Sequence, residues 1–464
     1  MTTITEKQTD DHMILKNMIA FFKKYRISQH LKNSNAYKSK GVPIVQVFMY
    51  IMQLVFTKKS MYMNILNGTN VPCFGKDVIY RLLNSTYINW ATFLISLAGA
   101  VIANISTLTN ESRLNVLIVD DSVFERPRSK KVELLANIHD HAAKGKNKYK
   151  RGFRMLTLGW SDGVTFIPLL FRLLSSTNQK NRYNEITPDI DKRTVGYKTR
   201  QEAISKTTDV LFLMLERVKK MCIPAKHLLF DSWFSFPSTI MRINQIGFDV
   251  VARLKNTKTI LYLYKGEKRT LKQIYDANKK RRGKAKYLLS VVVQLYNDEG
   301  NKLFARIVFV RDRNKSGKWI AFISTDMTLT EEEIMQLYAR RWDIEVFFKI
   351  CKSYLKLAKE FQGISYDSMT AHTTIVMTRY IMLAVHKRQN EDPRSLGELF
   401  HLCYDEIAEI QFSEALALVL TLIRDVLNEC HFLSDMEINE IIDAFIEKLS
   451  SCFKLSLSTF EQAG

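Results

Sequence analysis

Four polar residues share one face of a predicted helix. Residues 330–357 contain no Pro or Gly, and they open with Thr330 and Glu333, a side-chain pair that caps helix N-termini. The sequence therefore predicts one long helix. Spacings of three, four and seven residues place four of its side chains on one narrow stripe, at about 100° per residue: Tyr338, Arg341, Glu345 and Lys352.

This stripe combines one carboxylate with several cations. Most of the remaining helix surface is apolar, so the helix should be buried and the stripe should line a cleft. The alternative is an exposed ladder in which Glu345 pairs with Arg341 and Lys349 at i−4 and i+4. In a cleft, the carboxylate would supply an oxygen ligand for a metal ion, and the cations would bind phosphates.

Further carboxylates follow two predicted strands. The apolar run Leu114–Val119 ends in Asp120 and Asp121, and the run Lys226–Phe230 ends in Asp231. An aspartate pair at a strand end can also cap a turn. Strand alternation does not distinguish Asp120 from Asp121, because both faces of the preceding run are equally apolar.

With Glu345, these aspartates make a set of three acids without His or Cys. Such a set favours a hard cation, Mg²⁺ or Mn²⁺. Two such ions about 3.5–4 Å apart can activate water or a 3′-hydroxyl and stabilise the leaving oxygen during phosphodiester cleavage. The acids are more than 100 residues apart in sequence, so only the fold can bring them together.

The predicted elements that would position these acids follow the order β-β-β-α-β-α. Acids on the first and fourth strands and on a late helix form the RNase H-like arrangement. We therefore predict an α/β fold with an RNase H-like core, interrupted by a β-rich insertion and flanked by helical N- and C-terminal regions. The predicted boundaries are 1–108 for the helical N-terminal region, 109–255 for the first part of the core, 256–325 for the insertion, 326–385 for the second part of the core, and 386–464 for the helical C-terminal region.

The charge of the chain indicates a polyanionic partner. Its 464 residues contain 68 Lys and Arg against 47 Asp and Glu, a net charge of +21. Nucleic acid is the leading candidate for a protein this basic, although a basic surface can also serve only solubility. Gly75–Asn84 is similar to the recognition helix of a helix-turn-helix, with Lys76, Tyr80 and Arg81 facing DNA. Plain helix bundles contain similar helix pairs.

Neither a membrane partner nor an oxidising compartment is predicted. No run of about 18 uncharged apolar residues occurs, and the polar start of the sequence has no signal-peptide pattern. The six cysteines are scattered, without CxxC spacing or nearby His residues. These features predict reduced core thiols in a cytoplasmic protein and argue against a zinc site or a disulfide framework.

The helix stripe resembles the signature of a known family. Tyr338, Arg341, Glu345 and Lys352 match the pattern Y-x2-R-x3-E-x6-K at every spacing. With suitable aspartates upstream, this sequence is similar to the DDE transposases of bacterial insertion sequences, specifically the IS-four family. The resemblance covers about residues 109–385, whereas the two ends of the chain match only as helical flanks.

The resemblance implies roles for individual residues. Asp121, which is followed by a small hydroxyl residue as in the family, would be the first metal ligand. Asp231 and Glu345 would be the second and third, holding two Mg²⁺ (or Mn²⁺) ions. Phosphates beside the scissile bond would be held by the basic and phenolic residues of the helix: Tyr338, Arg341 and Lys352, with Lys349 nearby.

Two DNA contacts outside the helix are also implied. Trp319 lies where relatives carry a Trp that stacks on a base flipped out of the transposon end, although a half-buried strand Trp would look the same in sequence. Arg253 matches a basic residue after the fifth strand that contacts DNA. The sequence departs from the family after Asp231, where Ser-Trp-Phe replaces the further acids of some relatives.

The implied function is cut-and-paste DNA transposition in a bacterial cytoplasm, in association with the nucleoid. The family acts as a homodimer that pairs two terminal inverted repeats, cuts them through a hairpin intermediate and joins them to target DNA. The C-terminal helices are the candidate dimer contact. Two alternatives remain: an RNase H-like nuclease or resolvase, and an inactive transposase-derived regulator that only binds DNA.

Overall fold

The structure is a computed structural model. It describes residues 13–56, 60–66, 72–108, 113–140, 149–281, 283, 285–297, 300–312 and 317–389, with single positions at 395, 396, 398, 399, 423, 427, 441, 442 and 444. Beyond residue 389, the predicted helical C-terminal region and the dimer contact predicted for its helices lie outside the described residues, apart from those single positions.

The chain divides into two compact units. The first comprises Met1–Phe21, Met49–Gly75 and Pro393–Gly464, and the second comprises Phe22–Phe48 and Lys76–Asp392. In the first unit, Tyr50 packs edge-on against Phe74, with ring centroids 5.8 Å apart. The second unit contains the sheet and all the acids considered above.

The described residues before the sheet are helical, as predicted. The longest of these helices is α6 (Trp90–Ser106). Asn89 caps α6 by accepting a hydrogen bond from the Thr92 N–H at 3.0 Å. The helices are α1 (Met13–Lys24), α2 (Ile27–Asn33), α3 (Ile44–Leu54), α4 (Met61–Leu66), α5 (Lys76–Leu83) and α6 (Trp90–Ser106).

Five core strands are arranged in the order β4-β3-β1-β5-β6. β3 is antiparallel to β1 and β4, whereas β1, β5 and β6 are parallel. This order and these directions confirm the predicted α/β, RNase H-like core. The elements are β1 (Val116–Glu125), β2 (Ala136–His139), β3 (Tyr149–Ser161), β4 (Phe166–Leu174), α7 (Val195–Ala203), α8 (Thr207–Lys220), β5 (His227–Phe230), α9 (Pro237–Ile246) and β6 (Asp249–Arg253).

The β-rich insertion continues the core sheet. Its last strand pairs antiparallel with β6, so that Phe322 lies opposite Arg253. The eleven strands of the described residues thus form one sheet. The insertion consists of β7 (Tyr262–Tyr264), β8 (Glu267–Arg269), α10 (Leu271–Asp276), β9 (Leu289–Tyr296), β10 (Lys302–Arg311) and β11 (Trp319–Ser324).

The first strand does not end at its two aspartates. β1 pairs with β3 from Val116 to Glu125, so Asp120 and Asp121 lie within an extended hairpin. The prediction that the strand ends before them was wrong, because the antiparallel partner continues the strand well past the apolar run.

The predicted long helix is two helices. α11 (Glu331–Ala339) and α12 (Trp342–Ser353) are separated by Arg340 and Arg341. The Thr330–Glu333 capping box is present as expected. At the break, the Arg340 and Arg341 N–H groups bond three residues back instead of four, which tightens the turn. The prediction of one uninterrupted helix was therefore wrong.

The last long helix anchors the segment that follows α12. Helix α13 (Tyr366–Gln389) is buried from Tyr366 to Val385. Within it, Arg379 donates to the buried Glu360 carboxylate at 2.9 and 3.1 Å, and His372 lies 3.1 Å from the same carboxylate. This ion cluster ties the loop after α12 to α13.

The cysteine prediction was partly wrong. Among the described cysteines Cys351 is a buried thiol, but Cys73 and Cys222 are exposed. No helix among the described residues combines the length and apolar character that a bilayer span requires.

Removing the Glu360 carboxylate should destabilise the fold strongly. Glu360→Ala takes away the buried group that neutralises Arg379, a change that typically costs about 3–5 kcal/mol. Urea unfolding of the variant and the wild type measures this difference. The matched control is Asp276→Ala, which breaks the exposed Lys272–Asp276 pair and should cost less than about 1 kcal/mol. Equal effects of the two substitutions would contradict a structural role for the cluster.

Candidate active site

The parallel register of two strands aligns two aspartates. Ile118 of β1 lies opposite Leu229 of β5, and two residues further along each strand are Asp120 and Asp231. Asp231 follows the last residue of β5 and accepts a hydrogen bond from the Ser232 N–H at 2.6 Å. Because paired residues of parallel strands share a face, the register directs both carboxylates to the same side of the sheet.

Asp120 lies among other charged groups. Arg341 donates to its carboxylate at 3.2 Å. Burial raises the pKa of Asp120 to about 7; Arg341 opposes this rise, whereas the negative charges of Asp231 and Glu345 add to it. The three acids therefore lie close enough together to repel one another.

Arg341 joins two of these acids. Its guanidinium donates to Asp120 on β1 and also to Glu345 one turn along α12. Glu345 is about one third exposed, at 34% of its side chain, so it faces a cleft that solvent can enter. The i, i+4 ion pair of Arg341 and Glu345 does form. It is not an isolated surface pair, however, because Arg341 also contacts Asp120 on β1.

Tyr338 and Arg253 border the same group. The Tyr338 ring packs against Phe322 with centroids 4.6 Å apart. Burial raises the pKa of Tyr338 to about 12; the charges of Arg341 and Arg253 lower it and that of Asp231 raises it. Tyr338 thus lies near Asp231 and both arginines. Arg253 itself is exposed at the end of β6.

Lys352 reaches the far end of β1. Its Nζ donates to Ser122 Oγ at 2.6 Å, and Ser122 lies on the Asp120 face because it is two residues further along the strand. Burial lowers the pKa of Lys352. The four signature residues are therefore brought to one side of β1 even though the helix that carries them is broken.

Asp121 points away from this group. As the next residue after Asp120, it lies on the opposite face of β1. It forms an ion pair with Arg154 of β3, and Arg154 also lies close enough to Asp120 to lower the pKa of that carboxyl. The structure brings Asp120, and not Asp121, together with Arg341, Asp231 and Glu345. In the sequence, Asp120 and Ser122 are two residues apart, which places both on one face of a strand. This spacing alone does not say which face of β1 carries the candidate site.

Two further predicted DNA contacts are Trp319 and Lys349. Trp319 is half-buried and stacks on Tyr275 of α10, with centroids 5.0 Å apart, while Phe309 packs edge-on at 5.0 Å. Its contacts are therefore with the insertion. Lys349 is exposed on α12.

Some contacts that position the site were not predicted. Ser161 donates to Asp343 at 2.6 Å, which fixes the first turn of α12 against the β3–β4 turn. Arg340 donates to the Leu114 carbonyl just before β1. Both contacts are long-range, so no local pattern marks them.

A second group of candidate ligands lies at the other ends of the strands. His227, Asp249 and Asp326 are close enough together to hold a metal ion. However, Lys226 Nζ lies 2.5 Å from Asp326 and 4.0 Å from Asp249. Although burial opposes it, hydrogen bonds from Lys226, Thr328 and His227 hold the pKa of Asp326 below its usual range. The lysine already supplies the positive charge, so this cluster is a structural ion pair.

Comparison with known proteins identifies a family. A sequence profile described as DDE superfamily endonuclease matches residues 51–290, more than half of the chain. The match includes Asp120, Asp121 and Asp231 and ends before α11 and α12. No curated protein matches the sequence.

One similar solved structure is the Drosophila P element transposase strand transfer complex. Its chain is 12% identical to this one, with a TM-score of 0.21, and the alignment covers 53% of this chain and 51% of that chain. This chain therefore spans about half the length of that relative.

In EDTA, Asp120→Asn should stabilise the protein more at pH 8 than at pH 5. Because burial raises the pKa of Asp120 from 3.8 to about 7, its ionisation opposes folding as the pH rises through that window. The effect at pH 8 is up to about 4 kcal/mol at 1.36 kcal/mol per pKa unit. Thermal melts at both pH values test this. The control is Asp121→Asn, which should not stabilise the protein at pH 8. A wild-type and Asp120→Asn pair that melt together at pH 8 would contradict the assignment.

Proposed function

The chain belongs to the DDE superfamily endonucleases, and from this premise we propose that it is a DNA transposase. It would cut DNA at the ends of its own mobile element and join those ends to a new site. The observation that carries the proposal is the meeting of Asp120, Asp231 and Glu345 around Arg341. The signature residues Tyr338 and Lys352 lie at the same face, where the family would hold phosphates.

We propose Asp120, Asp231 and Glu345 as the ligands of two Mg²⁺ or Mn²⁺ ions. The residues fit such ions because they offer only oxygen donors. Burial, and to a smaller extent the charges of Asp231 and Glu345, raise the pKa of Asp120, and a bound cation would offset both effects. When bound, the ions supply an activated oxygen nucleophile and neutralise the leaving oxygen. This proposal replaces Asp121 with Asp120 as the first ligand, on the strength of its contact with Arg341.

The cations of the site would hold the DNA backbone. Arg341 presents a planar fork of donors suited to phosphate oxygens, and from its position between two acids it would bind the scissile phosphate. Lys352, which contacts Ser122, and Arg253, which lies near Tyr338, would bind neighbouring phosphates. Tyr338 would donate its phenolic hydrogen, because its raised pKa keeps the hydroxyl protonated at neutral pH.

The reaction sequence is also a proposal. Water attacks the phosphodiester at the element's end and leaves a free 3′-hydroxyl. That hydroxyl attacks the opposite strand, which forms a hairpin and releases the flanking DNA. A second water opens the hairpin, and the 3′-hydroxyl then attacks target DNA. We propose that a homodimer in the cytoplasm performs these steps on paired terminal inverted repeats of double-stranded DNA.

Cleavage of a linear DNA carrying the element's own ends tests the function. Wild-type protein with Mg²⁺ should nick at the end and yield a slowly migrating hairpin on a denaturing gel. Asp231→Ala protein, or wild type in EDTA, should give neither product. Cleavage that needs no paired ends would indicate a nuclease or resolvase, and binding without any cleavage would indicate a DNA-binding regulator.

The same assay distinguishes the two neighbouring aspartates. Asp120→Ala should reduce the cleavage rate at least about 10³-fold, because it removes a metal ligand. Asp121→Ala should retain much more activity, since its carboxylate pairs with Arg154 and is not one of the proposed metal ligands. Glu345→Ala should match Asp120→Ala. If Asp121→Ala were the inactive variant and Asp120→Ala the active one, the proposed ligand set would be wrong.

A further inference from the structure

An exposed tryptophan lies beside the proposed catalytic acids. Trp233 belongs to the short 3₁₀ turn Ser232–Phe234 that follows Asp231. Phe234 anchors this turn: it is 3% exposed and packs edge-on against Phe230 with centroids 6.1 Å apart. Trp233, in contrast, is 45% exposed. The anchored turn thus holds a large aromatic ring at the surface, where an indole gains little from burial.

Two cations from other elements lie over this ring. The guanidinium carbon of Arg154 is 5.1 Å from the ring centroid, and Lys255 Nζ is 5.8 Å from it. Arg154 comes from β3 and Lys255 follows β6, so the core sheet places both of them. Asp121 pairs with Arg154, which holds the guanidinium in place.

The aromatic and cationic group is close to the reaction centre. Trp233 is two residues after Asp231, so their Cα atoms are at most about 7.6 Å apart, since consecutive Cα atoms are 3.80 Å apart. Arg154 forms an ion pair with Asp121, the neighbour of Asp120 in β1. A DNA strand bound at the acids would therefore bring the nucleotide next to the scissile phosphate close to Trp233.

We propose that Trp233 stacks on an unpaired nucleobase next to the scissile phosphate, while Arg154 and Lys255 bind the flanking phosphates. The proposal rests on the proposed function, since it takes DNA as the substrate. An indole face accepts any base by stacking, and cations beside it follow the backbone. The base must be unpaired, because a base inside a duplex has its faces covered by its neighbours.

Binding of two fluorescein-labelled probes in EDTA tests this assignment without any cleavage. One probe is a blunt 20-base-pair duplex, and the other is the same duplex with a four-nucleotide thymidine overhang. Stacking is worth about 1–3 kcal/mol per base, or about 5- to 150-fold in Kd. Trp233→Ala should weaken binding of the overhang probe by at least about 5-fold and change blunt-duplex binding less than about 2-fold, whereas Trp233→Phe should keep most of the affinity.

The matched control is Tyr183→Ala. Tyr183 is 44% exposed and has the Arg151 guanidinium 4.8 Å from its ring centroid, but it lies beside β2 and away from the acids. This variant should bind both probes like the wild type. Lys255→Gln should lower the salt dependence of overhang binding, as expected when one phosphate contact is lost.

Photocrosslinking gives a positional test. With 5-iododeoxyuridine in the overhang, the crosslinked peptide should contain Trp233, and the crosslink should be lost in Trp233→Ala and kept in Tyr183→Ala. A crosslink elsewhere, or equal overhang binding by Trp233→Ala and wild type, would overturn the proposal. Failure of end cleavage would instead count against the transposase function, because these probes require none.

Discussion

The contact of Arg341 with Asp120 and Glu345 is the interaction on which the proposed site depends. Three carboxylates brought together in a partly buried place repel one another and lose hydration, a cost that a nearby cation offsets. Arg341 supplies that charge from the break between α11 and α12, where the tightened turn places it beside β1. The same guanidinium would remain available to a phosphate once metal ions neutralise the acids.

The sheet explains why the acids meet. Parallel pairing of β1 with β5 sets Asp120 beside Asp231, and the antiparallel hairpin of β1 with β3 keeps Asp120 in an extended strand with a defined face. The insertion adds to this framework by pairing β11 with β6, which sets the exit of β6 at the edge of the site. Arg253 is the last residue of β6 and Lys255 follows it. The pairing of the insertion with β6 therefore also influences where these two cations would hold the DNA backbone.

Buried ion pairs hold the helices that bring Glu345 and Lys352 to the sheet. Arg379 and Glu360 fasten the segment after α12, and Arg200 joins Glu133 to Asp367 at 2.7 and 2.6 Å. Compared with apolar packing, such ion pairs add little to the net free energy of unfolding. Each charge needs its own partner, however, so the pairs allow few alternative positions of the helices. The position of α12 against β1 is therefore defined at both ends, by Ser161 with Asp343 at its start and by the Glu360 cluster after its end.

The sequence by itself determined the types of the functional residues and the order of the elements. The spacing of Tyr338, Arg341, Glu345 and Lys352, the apolar strands before the aspartates and the α/β order were all readable because they depend on local periodicity. Tertiary structure alone decided that Asp120 and not Asp121 faces Glu345, since both faces of that strand are apolar and only pairing with β3 and β5 gives them different surroundings. Tertiary contacts also accompany the break between α11 and α12 at Arg340 and Arg341. They pack Trp319 within the insertion, whereas Trp233 is exposed. The physical reason is that these outcomes depend on contacts between residues far apart in the chain, which no local pattern records.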